Sequence, residues 1–93
     1  GPRTEKEKVL YAALEKLMED NPDHTGFSKS AIVRQAGLAK GGTSTKAIDD
    51  MVERGVIGFY TDPHTGAIYG SSNLVIKSDL PITFSATDDD LKD

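Results

Sequence analysis

The chain reads as an α+β domain in which three helices precede a C-terminal β-hairpin. Three observations predict this. Apolar residues recur at helical spacing in three segments, each closed by Pro or Gly. After Gly55 the period changes to a run rich in β-branched and aromatic residues. Finally, 93 residues without cysteine leave room for one small core with no covalent staples.

Residues 4–20 make the first helix. Thr4 and Glu7 have the T-x-x-E spacing of a capping box, in which each side chain satisfies a backbone amide at the helix start. Val9, Leu10, Ala13, Leu14, Leu17 and Met18 form one apolar stripe. The stripe lasts barely two heptads, which suits a core face better than a dimer seam. Asn21-Pro22 stops the helix. Ser28 caps the second helix, and Phe27 and Ile32 have the N′ and N4 spacing of a hydrophobic staple. Ile32, Val33 and Ala36 face inward. Gly37 then supplies a left-handed residue, so that Leu38 folds back on Val33. Ala39-Lys40-Gly41-Gly42 is a turn, after which Thr43 or Ser44 caps a third helix. Its inward residues are Ala47, Ile48, Met51 and Val52, and Gly55 with Val56 repeats the earlier stop.

Residues 56–60 read as a strand and 67–70 as its hairpin partner, joined by the turn Thr61-Asp62-Pro63-His64-Thr65-Gly66. Ile57 and Phe59 are expected to pack on the helices, with Tyr60 and Tyr69 either filling the core or standing outside. Residues 74–76 are a further apolar run, a third strand or a clamp on the body. Leu80, Ile82 and Phe84 alternate with polar residues and Pro81, as an extended edge segment does. From Ser85 the chain is acidic and polar, and we expect it to be disordered. Gly1-Pro2 stands where an initiator methionine would, and reads as the scar of a cleaved purification tag. The expected division is therefore a scar and leader over 1–3, a folded domain over 4–77, and an extended segment with an acidic tail over 78–93.

Composition excludes several classes of function. Hydrophobic residues at 37% and charged residues at 28% are incompatible with a disordered low-complexity chain. No run approaches the roughly 18 apolar residues of a membrane span. With no cysteine there is no disulfide framework, thiolate zinc site or cysteine nucleophile, which suits a reducing compartment. His24 and His64 stand apart, and Asp20, Asp23 and His24 read as a solvated loop rather than a metal site. No nucleophile–base pair has a recognisable motif, so neither an enzyme, a metal nor a cofactor is expected. Residues 37–44 echo a phosphate-binding P-loop, but they lack the lysine after the second glycine and follow a helix rather than a strand.

Charge is distributed unevenly. The formal net charge is −4, yet residues 24–48 hold Lys29, Arg34, Lys40 and Lys46 and no acid in a chain with 15 acids. A partner responds to that local field rather than to the total.

The order helix, short strand, helix, turn, helix, hairpin resembles a winged helix-turn-helix domain. The residues that carry the resemblance are 28–38 (S-K-S-A-I-V-R-Q-A-G-L), 43–55 (T-S-T-K-A-I-D-D-M-V-E-R-G) and the hairpin 56–70. It covers about three quarters of the chain and is specific as an architecture, not as a family signature. The long first helix with its D-x-T-G link at residues 23–26 is also similar to the DNA-binding arm of SOS-type repressors. One departure is that the turn between the second and third helices is longer than in the tight motif.

The resemblance implies binding of double-stranded DNA, in transcription or in the control of replication. With such a partner the expected location is cytoplasmic or nucleoid-associated. The third helix would enter the major groove by its N-terminal end, where Thr43, Ser44, Thr45 and Lys46 sit. Ser28 and Lys29 at the start of the second helix, and Lys40 in the turn, would meet phosphates, which orient without specifying sequence. His64 and Thr65 at the hairpin tip would approach the flanking backbone. Against this, the exposed stripe of the third helix holds Asp49, Asp50 and Glu53, which repel phosphate. The alternative is therefore a winged helix that serves as a protein-interaction domain within a larger assembly. Homodimerisation through residues 74–84 is compatible with either.

Overall fold

The computed structural model describes residues 1–77. It is a small α+β domain with three helices and a two-stranded antiparallel sheet. The expected edge segment at residues 80–84 and the acidic tail lie outside the described residues.

Local chemistry sets most helix ends. α1 (Glu5–Asp20) is capped by the Thr4 hydroxyl, which accepts from the Glu7 N–H at 3.1 Å. The Glu7 carboxylate reaches back past the cap and accepts from the Arg3 N–H at 2.8 Å. α2 (Lys29–Gln35) is capped by Ser28, which accepts from the Ala31 N–H at 3.1 Å. It ends with Leu38 N–H on the Val33 carbonyl at 3.2 Å and Gly37 N–H on the Arg34 carbonyl at 3.0 Å. α3 (Gly42–Glu53) ends in the same way, through Val56 to Met51 at 2.9 Å and Gly55 to Val52 at 3.0 Å. Both stops need a left-handed residue, and Gly37 and Gly55 supply φ of 72° and 80°.

The start of α3 corrects the sequence reading. Its N-cap is Gly41, with no side-chain cap, so Thr43 and Ser44 lie inside the first turn. Ser44 is only 1% exposed. The physical reason is periodicity: positions 44, 48 and 51 lie on one helical face, which carries Ser44 inward with Ile48 and Met51.

The sheet holds a second correction. β1 (Ile57–Phe59) pairs with β2 (Leu74–Ile76), in the register Ile57↔Ile76, Gly58↔Val75 and Phe59↔Leu74. The anticipated partner, residues 67–70, contributes one bridge, Thr61↔Ile68, and the bond from Tyr69 N–H to the Tyr60 carbonyl at 2.8 Å. Burial decides between the two runs. Leu74 and Val75 are covered by the body, whereas Ile68 is 72% exposed. β2 is also paired on its other side: Phe27 and Leu74 exchange bonds of 3.0 and 2.8 Å, so the link before α2 joins the sheet. There Gly26 (φ 92°) crosses against the Asn73 backbone so closely that a Cβ would overlap it. The Asn73 amide fastens the crossing by donating to the Thr25 carbonyl at 2.7 Å.

Leu10, Leu14, Ile32, Ile48, Met51, Ile57 and Leu74 form the fully buried centre, drawn from all three helices and both strands. Phe59 is 37% exposed, contrary to its expected place beside Ile57. Two residues of strand advance about 6.6 Å, which carries Phe59 to the far end of a strand only three residues long. Tyr60 instead meets Tyr69 edge-on at 5.2 Å and His24 at 6.1 Å, and His24 lies 5.2 Å from Phe27. Both tyrosines are half-buried in this aromatic row.

An ion pair that local patterns did not announce closes the body. Arg54, just past α3, donates to both Glu7 oxygens at 2.7 and 3.1 Å. The guanidinium, helped by the Arg3 N–H, holds the Glu7 carboxyl down at about 2 against an ordinary value of 4.5. Arg54 also donates to the Gly1 carbonyl at 3.0 Å, so the segment before α1 touches the folded body.

Candidate nucleic-acid interface

α3 presents Gly42, Thr43, Lys46, Asp49 and Glu53 to solvent. Their spacing of three and four residues puts the side chains on one outward face. The first half of this face is free of acid, and the second half is acidic. No acidic residue occupies the first turn, and no side chain caps its amides, so the positive end of the helix is open. Thr45 turns its hydroxyl back onto the Gly41 carbonyl at 3.2 Å and is half-buried.

Flanking elements add cations unequally. From α1, Lys6 donates to the Thr43 hydroxyl at 3.1 Å. Lys40 lies in the turn before α3; with Arg34, Ser30, Val33 and Leu38 it lines a shallow pocket. Neither Arg34 nor Lys40 is ion-paired among the described residues. Lys29 is different: its ammonium sits 2.6 Å from Asp49 Oδ1. Lys46 pairs more loosely with Asp50, at 3.5 Å and one turn along the same helix. Two of the four cations in the acid-free block are thus answered by the acids that follow it.

The remaining candidates fall into separate places. Ser28 spends its hydroxyl on the α2 cap, and buried Ser44 is not on the outward face, which corrects its assignment to a groove-facing group. His64 and Thr65 are exposed in the loop between Tyr60 and Tyr69. The Asp62 carboxylate shapes that loop by accepting from the His64 N–H at 2.7 Å and the Thr65 N–H at 3.1 Å. Those two amides hold the Asp62 carboxyl below the usual carboxylate range. Lys6 was missed in the sequence because nothing within α1 marks it; only the crossing of α1 over the start of α3 brings it to Thr43. Among the described residues no three His, Asp or Glu converge as metal ligands, and no helix is long and apolar enough to cross a membrane.

Comparison with protein-family models, curated proteins and solved structures found no match to this chain.

Proposed function

We propose that this domain is a winged helix-turn-helix that binds double-stranded DNA as part of an intracellular transcription or replication regulator. The first turn of α3 enters the major groove, and the loop around His64 and Thr65 lies over the flanking backbone. The element order, with Phe27 joining β2 as a short strand between α1 and α2, supports the winged reading. The observation that carries the function is the open, acid-free start of α3, with Lys6 against Thr43 and Lys46 on the same exposed face. Helix amides and ammonium groups side by side suit phosphate oxygens, and the Thr43 hydroxyl suits a base edge.

Anisotropy titration of labelled mixed-sequence duplex at several salt concentrations tests the reading. The affinity is expected to fall steeply with salt, and Lys40→Ala or Lys6→Ala to flatten the slope by about 0.9 each. No detectable binding at about 50 mM salt overturns it. One observation favours a second reading, a protein-interaction module of a larger assembly. Asp49 and Glu53 fill the rest of the outward stripe, and Asp49 holds Lys29. A basic protein surface would suit that half of the helix.

A further inference from the structure

We infer that Asp49 is a base-reading residue that accepts from a cytosine amino group, and that Lys29 is its positioning partner rather than a phosphate contact. The inference rests on the duplex-binding reading above and deepens it, with α3 inserting through its second turn, which ends at Asp49, as well as its first. Asp49 sits on the outward face of α3 beyond Thr43 and Lys46, with its side chain 53% exposed. An unneutralised carboxylate there would be driven off by the flanking phosphates. Lys29 cancels that charge from the first position of α2, across 20 residues of sequence, at 2.6 Å. The contact uses Oδ1, and no bond among the described residues uses Oδ2.

That arrangement orients the carboxylate by one oxygen and leaves the other as an acceptor. A bare acceptor in the major groove matches the N4 amino group of cytosine, the one base edge that offers a donor without an adjacent acceptor. On guanine or thymine the carboxylate meets only acceptors or a methyl group, and on adenine the N7 acceptor beside the N6 amino group repels it. The pair also keeps Lys29 from the backbone, so the domain forgoes one sequence-independent phosphate contact. Affinity for random DNA is therefore lowered while discrimination is raised.

The test selects duplexes from a randomised pool with the wild-type chain, Asp49→Ala, Asp49→Asn and Lys29→Ala. Salt titrations follow, on the selected site and on random duplex. Surface substitutions at this exposed pair leave the fold intact. The wild type is expected to enrich cytosine at one position where neither Asp49 variant does, with discrimination for cytosine there falling on the order of tenfold. On random duplex, Asp49→Ala is expected to steepen the salt slope by about 0.9, because Lys29 becomes available to a phosphate. Lys29→Ala leaves that slope unchanged. A slope unaltered in Asp49→Ala, or cytosine preference retained without the carboxylate, overturns the inference while duplex binding stands. Failure of the wild type to bind any duplex overturns the functional reading and this inference together.

Discussion

Replacing Arg54 by methionine keeps most of the aliphatic stem but strips the guanidinium from Glu7, whose side chain is 6% exposed. The carboxylate would keep the Arg3 N–H and lose two charge-assisted bonds of 2.7 and 3.1 Å. Breaking a buried pair from one side costs about 3–5 kcal/mol. Arg54 is itself 22% exposed, so water can reach the gap. We therefore expect a loss of about 2–3 kcal/mol at pH 7, below the fully buried range. Glu7→Gln should cost less, because the orphaned guanidinium can turn to solvent. The pH dependence has a definite sign. Glu7 ionises at about 2 in the fold against 4.5 ordinarily, so its contribution is complete above pH 4.5 and is lost as pH falls through about 2. Between pH 7 and pH 3 the gap between wild type and Arg54→Met should close by up to about 2 kcal/mol. Urea unfolding followed by far-UV circular dichroism at both pH values measures this. A loss under about 0.5 kcal/mol at pH 7, or a gap that is equal at the two pH values, would refute the account.

Other substitutions separate the roles of single residues. Gly26→Ala places a Cβ on the Asn73 backbone at a φ of 92° and should cost about 2 kcal/mol or more in thermal unfolding. Gly37→Ala has open space around the new Cβ, so only the left-handed backbone opposes it, at about 1 kcal/mol. Equal losses at the two sites would mean that the Gly26 crossing is not tight. Ser28→Ala removes the α2 cap and should lower stability by about 1 kcal/mol without altering the salt slope of DNA binding. A flattened slope would return Ser28 to the interface.

Much of the scaffold was legible because its determinants are local. The Thr4 and Ser28 caps and both glycine stops each depend on residues within one or two turns, and hydrogen bonds of 2.9–3.2 Å bear them out. Where several residues could serve one local role, local rules chose badly. Thr43 and Ser44 are good caps by type, yet Gly41 takes the N-cap position and the core takes Ser44. Residues 67–70 obey hairpin rules, yet β1 pairs with the run that can be buried.

The amino-acid order alone determined where helices begin to be possible, where they must stop, and that residues 24–48 carry four cations and no acid. Tertiary packing decided which of those cations remain available. Lys29 meets Asp49 across 20 residues, Lys6 meets Thr43 across 37, and Arg54 meets Glu7 across 47. Such meetings depend on how helices cross, which is set by the shared burial of Leu10, Ile32 and Ile48. No pattern within one turn of chain encodes that crossing, because the apolar contact that fixes it lies in a different element from the charge it places.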